Sequence, residues 1–272
     1  MGAQGLGQLA REGDAASPIA GVTIGRVAFD APWSWLAAGW RDMWTVPHIS
    51  LAYGALFAAL SLALTLGLLL TGLQSLMLAL AGGFLLIGPA AAVGLYETSR
   101  RLERGESPRF GEILRAGART PGQLGFFGGI LAFAYFVWLQ VAFLLFMLFL
   151  GSRGLPPPSE FVPTLLFTPH GLGLLVAGTV VGSILAAGVF AISVISVPLL
   201  MTRRTDAITA IRASLVAVAM NPKPLALWAA LIAGFMALGI ATLYAGLVVA
   251  FPLIGHATWH AYRDLVRELD VV

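Results

Sequence analysis

Long apolar runs without any formal charge dominate the pattern of positions along the chain. Four such stretches cover Ile49–Tyr96, Thr120–Ser152, Phe161–Thr202 and Pro224–Tyr262. Each is longer than the roughly 20 residues that a helix needs to cross a bilayer. The pattern predicts an all-α fold, a polytopic membrane helix bundle with about six transmembrane helices.

The first stretch is too long for one membrane-spanning helix. A helix over Ile49–Tyr96 would measure about 72 Å, more than twice the thickness of the hydrocarbon core. Residues 71–75, Thr-Gly-Leu-Gln-Ser, supply a turn between two spans. The first four predicted spans lie near Ile49–Leu70, Leu76–Tyr96, Gly122–Leu150 and Leu172–Leu200. A proline-rich loop separates the third span from the fourth, because consecutive prolines cannot continue a helix.

The last stretch, from Leu225 to about Val266, has two interpretations. One overlong helix gives five spans, whereas a turn near Tyr244-Ala245-Gly246 gives six spans with both termini on one side. Six spans place the basic segments together, and the positive-inside rule assigns that side to the cytoplasm. We therefore predict a bacterial inner-membrane protein with cytoplasmic termini. The basic residues on that side are Arg41, Arg100, Arg101, Arg104, Arg109, Arg115, Arg119, Arg203, Arg204, Arg212, Lys223, Arg263 and Arg267.

Prolines mark a unit that recurs three times along the chain. A short segment ends in proline before each hairpin, at Pro47, Pro121 and Pro222, and the second span of each hairpin carries another proline, at Pro89, Pro198 and Pro252. The spacing predicts three pseudo-repeated hairpins preceded by interfacial amphipathic helices. The alternative is that prolines are simply common at the ends of membrane helices.

The first interfacial helix has the clearest apolar face. Trp33, Leu36, Trp40 and Met43/Trp44 recur at helical spacing, and tryptophan is enriched at membrane–water interfaces. The polar residues of the same segment fall elsewhere on the helix. They are Ser34, Arg41, Asp42 and Thr45.

Composition agrees with a membrane domain. Charged residues make up 11% of the chain, against roughly 25% in a soluble domain, and the mean hydropathy is +0.88. The chain has no cysteine, which excludes thiolate nucleophiles and cysteine-ligated metals. We predict a disordered tail over residues 1–30 and an integral membrane domain over 31–272. The partners of the basic segments are expected to be anionic lipid headgroups of the bilayer, with another membrane subunit as a further candidate, and no nucleic acid.

His256 and His260 form the sharpest candidate for chemistry. They are four residues apart and therefore share a helix face, the geometry with which two imidazoles can hold one metal ion. The segment lacks the glutamate of a zinc-protease motif. Haem ligation by His256 or His170 is conceivable, but the sequence shows no histidine pair across two helices. Interfacial histidines that hydrogen-bond to neighbouring helices are the alternative to a metal site, so no cofactor is expected, with haem or copper as the alternative.

Six polar residues near the cytoplasmic ends of the hairpins form a predicted polar ring. No motif for a hydrolase, dehydrogenase or ATPase occurs, so the protein is expected not to be an enzyme. We expect the ring to bind a lipid, a small ligand or a partner subunit. A haem- or copper-handling accessory or assembly protein of a respiratory oxidase is one alternative, and a transporter is another, although no charged residue lies deep in a span. The ring consists of Glu97, Arg100, Asp206, His256, His260 and Arg263.

Several short motifs carry a family resemblance from about Asp30 to the C-terminus. The chain resembles a bacterial family of polytopic integral membrane proteins of unknown function, whose members are often labelled possible cytochrome c oxidase subunit I. A true subunit I needs six histidines for two haems and copper, whereas this chain has four, so the resemblance implies at most an accessory role. The motifs are Gly39-Trp40-Arg41-Asp42, Gly88-Pro89, Gly94-Leu95-Tyr96-Glu97, Ser99-Arg100-Arg101-Leu102-Glu103, Asn221-Pro222 and Pro252 to Arg263.

Overall fold

The computed structural model describes residues 22–73, 76–114, 121–151 and 158–268. These residues form helices almost throughout, with one short strand at each end, which confirms the all-α membrane fold. The elements are β1 (Val22–Ile24), α1 (Ala31–Thr45), α2 (Pro47–Leu70), α3 (Met77–Ala91), α4 (Val93–Glu103), α5 (Phe110–Leu114), α6 (Pro121–Leu150), α7 (Pro158–Phe167), α8 (Pro169–Ser193), α9 (Ser196–Thr202), α10 (Ala207–Met220), α11 (Pro222–Ala241), α12 (Leu247–Leu265) and β2 (Val266–Glu268).

The prolines stand where the long helices begin. Helices α2, α6 and α11 start at Pro47, Pro121 and Pro222, because a residue without an N–H group and with a fixed φ suits the first helical turn. A shorter helix ends just before Pro47 and just before Pro222, whereas the predicted segment before Pro121, residues 115–120, lies outside the described residues. Pro89 and Pro252 lie inside α3 and α12. The order of helix, proline and hairpin is therefore present in the first and third predicted copies.

In the part of the chain that the structure describes, four helical segments are long and apolar enough to cross a membrane. They are Pro47–Leu70, Gly122–Leu150, Pro169–Thr202 and Pro222–Ala241. The return segments of the first and last predicted hairpins are also helical, but α3 has only 15 residues and the second half of α12 is polar. Helix α3 therefore differs from the four apolar spans in its length, and α12 differs because it carries polar residues of the basic side, among them His256 and His260.

The turn between α11 and α12 lies where the sequence predicted it. Leu243 and Tyr244 have φ values of 53° and 68°, a left-handed conformation that is uncommon for side chains other than glycine. The Tyr244 hydroxyl lies 2.6 Å from Thr65 Oγ1 on α2, and the Gly246 N–H donates to Thr242 Oγ1 at 2.8 Å. These bonds hold the strained turn beside the end of α2.

The two ends of the membrane domain pair with each other. Strand β1 is antiparallel to β2, with Thr23 opposite Arg267. Asn221 binds the segment that follows β1: its side-chain amide donates to Gly25 O at 3.0 Å, and its side-chain oxygen accepts from the Val27 N–H at 2.9 Å. Within the predicted tail, residues 22–24 form a strand that pairs near the C-terminus, and residues 1–21 lie outside the described residues. The two ends of the described chain therefore lie beside each other.

Helix α12 is the centre of the half of the bundle that holds the candidate site. It packs against α1, α2, α4 and α11. Glycines allow the close approach, since a Cβ at Gly39 of α1 would lie 2.6 Å from Ala257 N and one at Gly54 of α2 would lie 2.3 Å from Val248 O. The other half consists chiefly of α3, α6 and α8, which pack against one another.

Helix α1 turns a different face inward from the predicted one. Trp35, Leu36, Gly39 and Met43 are buried against the bundle, because α12 covers this side. The tryptophans grouped with Leu36 and Met43 in the sequence are exposed instead. The predicted single apolar face therefore divides into a buried face and an exposed row, with relative exposures of 55% at Trp33, 47% at Trp40 and 48% at Trp44.

Candidate functional site

A chain of hydrogen bonds joins four helices at the basic end of the bundle. His256 of α12 lies with Nε2 2.9 Å from Ser50 Oγ of α2 and with Nδ1 2.8 Å from Ser99 Oγ of α4. The Ser99 hydroxyl donates to Asp42 Oδ2 of α1 at 2.6 Å, and the same oxygen lies 2.8 Å from His260 Nε2. We call Asp42, Ser50, Ser99, His256 and His260 the polar cluster.

The bonding pattern assigns the protons within the polar cluster. An ionised carboxylate only accepts hydrogen bonds, so the single hydroxyl proton of Ser99 is donated to Asp42. Ser99 must then accept from His256, which places the proton of the neutral ring on Nδ1. The unprotonated Nε2 accepts from the Ser50 hydroxyl. Every donor is matched with an acceptor, as a buried polar group requires.

The polar cluster is buried at one end and reaches the surface at the other. Ser50 and His256 are 0% exposed and Ser99 is 1% exposed, whereas the side chains of Asp42 and His260 are 18% and 29% exposed. Burial alone would raise the pKa of Asp42. The hydrogen bonds from His260 and Ser99 outweigh it and hold the pKa below the ordinary 3.8.

Glu97 lies in an ion-pair network beside the polar cluster on α4. Its carboxylate is 1% exposed and accepts from Arg100 Nε at 2.7 Å and from Arg101 Nε at 2.9 Å. Arg101 also pairs with Glu112. The intrahelical pair of Glu97 and Arg100 suggested by the sequence is present, but it is buried rather than on a solvated face.

The remaining ring residues occupy two different environments. Arg263 Nε donates to Glu103 Oε1 at 2.9 Å in a pair whose two side chains are 41% and 40% exposed. Asp206 lies at the start of α10, where its carboxylate accepts from the Thr209 N–H at 2.9 Å and from the Thr209 hydroxyl at 2.6 Å. It acts there as a helix N-cap. The structure thus brings five ring residues together on the packed helices α4 and α12, and it places Asp206 in a separate capping motif.

The two histidines that could have shared a metal bind different partners. Both ring nitrogens of His256 are engaged by serines, whereas His260 Nε2 faces Asp42. His256 would have to give up one serine bond to become a metal ligand. In the described ranges, no group of three or more His, Asp or Glu side chains has a geometry that could hold a metal ion. The donor set therefore fits a structural network better than a metal centre.

Comparison with known proteins agrees with the class that the fold defines, a multi-pass integral membrane protein. Residues 76–202 match the model of a family described as "Predicted integral membrane protein (DUF2189)". This range includes Glu97 and Ser99 but not Asp42, His256 or His260. The description supports a membrane protein family of unknown function and carries no oxidase label. No curated protein matches the chain, and no solved structure matches it.

Proposed function

We propose that this protein is a non-enzymatic, multi-pass protein of the bacterial inner membrane that binds acidic phospholipid headgroups along α1. The observation that supports this most directly is the exposed side of α1. Trp33, Trp40 and Trp44 are all about half exposed there, and Trp40 packs edge-on against Trp44 with ring centroids 5.6 Å apart.

The exposed side of α1 has two adjacent strips of different chemistry. At about 100° per residue, the three tryptophans fall within a sector of roughly 40°, and Ser34, Arg41 and Thr45 follow in the next sector. Indole rings favour the level of the headgroups. A basic side chain near an anionic surface contributes about 1 kcal/mol to binding. Such a helix lies in the membrane interface with its cation beside the phosphates.

The polar cluster and its neighbours hold α1 in the orientation that this function needs. Asp42 bonds to α4 and α12 through Ser99 and His260, and Trp35 Nε1 donates to Asp264 of α12 at 3.0 Å. Both bonds lie on the side of α1 opposite the exposed tryptophans. In this proposal five of the ring residues, Glu97, Arg100, His256, His260 and Arg263, support the lipid-binding helix instead of touching the lipid.

Burial of the polar cluster supports a non-enzymatic role. The hydroxyl of Ser50 and the imidazole of His256 resemble a nucleophile and its base, but both are 0% exposed. A substrate could reach them only if the helices separated. The basic segments, which we place in the cytoplasm, face the leaflet where anionic lipids attract them.

Lipid retention tests the proposal. The protein is incorporated into nanodiscs of phosphatidylcholine with graded fractions of phosphatidylglycerol, and retained lipid is measured by native mass spectrometry. We expect selective retention of phosphatidylglycerol, and reduced retention in Arg41→Ala but not in Thr45→Ala, a control at an exposed, uncharged position of the same helix. Equal retention of both lipids contradicts lipid selectivity. A reporter fused after Val272 tests the orientation separately and should give a cytoplasmic signal.

A further inference from the structure

The end of the bundle opposite the basic side is formed by two turns and one short helix. The Tyr244–Thr65 bond places the α11–α12 turn beside the end of α2. Helix α8 continues into α9, which ends at Thr202 on the basic side, where the Thr202 hydroxyl lies 2.6 Å from the Tyr262 hydroxyl of α12. Helix α8 therefore begins at the opposite end of the bundle. Helix α7 packs against α8. We call the C-terminal end of α2, the α11–α12 turn and α7 the far end.

Apolar side chains project from the far end where a water-facing protein would carry polar ones. Leu70 at the end of α2 is 87% exposed, Leu243 in the α11–α12 turn is 81% exposed, and Phe167 at the end of α7 is 81% exposed. Turns in water are usually polar. Both hairpins are free of formal charge over their full length at this end, within Ile49–Tyr96 and Pro224–Tyr262.

Helix α7 is fixed firmly at the far end. The Thr168 hydroxyl donates to Thr164 O at 2.6 Å and accepts from the Gly171 N–H at 3.1 Å. A Cβ at Gly171 would lie 2.1 Å from Thr164 O, so only glycine allows α7 and the start of α8 to approach this closely. The corner between the two helices therefore sets which face of α7 points outward.

The outward face of α7 continues the lipid-facing surface of α8. Phe161 is 8% exposed, whereas Val162 and Leu166 are 55% and 45% exposed. An exposed apolar stripe on α8 runs along its length at every fourth residue and begins five residues after the exposed Phe167, with Thr168 and His170 as the polar residues between them. The stripe consists of Leu172, Val176, Val180 and Ile184.

We infer that the far end is embedded in the lipid of the leaflet opposite the basic side, with α7 lying along the boundary between acyl chains and headgroups. Val162, Leu166 and Phe167 then contact acyl chains, and Leu70 and Leu243 end within the same layer. Continuity with the apolar stripe of α8 favours lipid over a partner protein, because an apolar patch of this kind is otherwise a protein contact. Helix α7 carries Glu160 as its single charge, so it lacks the cation with which α1 would attract acidic lipid.

Spin labels on single introduced cysteines test this inference, since the chain has no cysteine of its own. Phe167→Cys and Leu243→Cys are labelled in phosphatidylcholine nanodiscs, with Val162→Cys as a second position on α7 and Arg109→Cys as the water-exposed control. We expect relaxation by oxygen to be stronger, and relaxation by a water-soluble nickel chelate weaker, at the three far-end sites than at residue 109.

Two results overturn the inference. Nickel relaxation at the far-end sites equal to that at residue 109 places the far end in water. Weak relaxation by both reagents shows that protein covers it. The depth measurement does not depend on which leaflet is cytoplasmic, so its failure is distinct from a failure of the proposed orientation, which the Val272 reporter tests.

Discussion

The carboxylate of Asp42 lies 2.8 Å from the imidazole of His260 although 218 residues separate them in the chain. This contact ties the first helix of the membrane domain to the last one. The pairing of β1 with β2 does the same for the two ends of the chain. Closure of the domain at the basic side therefore rests on long-range polar contacts, and α1 is the element that they position.

Asp42→Asn tests the contribution of this carboxylate. The amide loses the negative charge that Ser99 and His260 bind, while its size is unchanged. We expect a loss of roughly 1–3 kcal/mol in the free energy of unfolding, measured as a lower melting temperature in detergent. Asp206→Asn is the matched control, because asparagine is as good a helix N-cap as aspartate. Equal melting temperatures for the two variants would contradict the importance of Asp42.

Acid should remove the contribution of Asp42 only at low pH. A pKa below its ordinary value of 3.8 in the folded protein means that ionised Asp42 stabilises the fold above the unfolded-state pKa. This stabilisation is lost as the pH falls through the folded-state pKa. The difference in melting temperature between wild type and Asp42→Asn should stay constant from about pH 7 to pH 5 and shrink below about pH 4. A difference that already disappears near pH 6 would contradict the assignment.

His256→Ala should be among the more damaging single substitutions. It leaves the Ser50 hydroxyl without its acceptor and removes the donor that Ser99 accepts from, and both serines are buried. Buried groups without partners cost roughly 1–3 kcal/mol each. We expect lower yield and a lower melting temperature, whereas His170→Ala, at an exposed site, should have little effect. Normal stability of His256→Ala would show that the hydrogen-bond chain is dispensable.

The two acidic–basic pairs on α4 and α12 should differ strongly in their contribution to stability. Glu97→Ala leaves Arg100 and Arg101 without their buried counter-charge, a change that typically costs roughly 3–5 kcal/mol. Arg263→Ala breaks a pair in which both side chains are about 40% exposed, and such surface pairs contribute at most about 1 kcal/mol. Thermal unfolding of the two variants side by side measures the difference. Similar losses for both would mean that burial does not set the energetics here.

Asn221→Ala should release the segment after β1. The substitution removes the bonds to Gly25 O and to the Val27 N–H, which hold this segment against the junction of α10 and α11. We expect faster amide hydrogen exchange in residues 22–27, with exchange in α12 unchanged. Asn221→Asp keeps the acceptor and loses the donor, so its effect should be intermediate. Unchanged exchange in Asn221→Ala would show that the β1–β2 pairing alone holds the segment.

The sequence was informative wherever a single residue type sets the backbone. Prolines begin α2, α6 and α11 as predicted, and the turn near Tyr244 is real. The uncharged stretches correctly predict a membrane protein, because charged side chains are rare along the whole length of a membrane-spanning helix. The sequence pattern of α1 could not separate its buried face from its exposed row of tryptophans, since tryptophan is common both in protein cores and at membrane interfaces. Only the packing of α12 decides which indoles are exposed.

The polar cluster was only partly predictable for a related reason. His256 and His260 stood out as a pair, but Ser50 and Ser99 gave no periodic signal, and they lie 206 and 157 residues away from His256. The sequence pattern groups Asp206 with the ring because it lies near the cytoplasmic end of the second predicted hairpin. Its position immediately before the apolar helix α10 is the sequence signal of an N-cap, and this local role explains why it lies apart from the others.

The most direct test of the central claim, that the polar cluster holds α1 with its tryptophans at the membrane interface, is fluorescence quenching by brominated lipids. The signal of a variant with Phe at Trp33, Trp40 and Trp44 is subtracted from that of the wild type in nanodiscs. We predict that these three indoles are quenched most by bromines close to the headgroup, and that Asp42→Asn weakens this depth preference. No quenching at any bromine depth, or equal quenching at all depths in the wild type, would contradict the account.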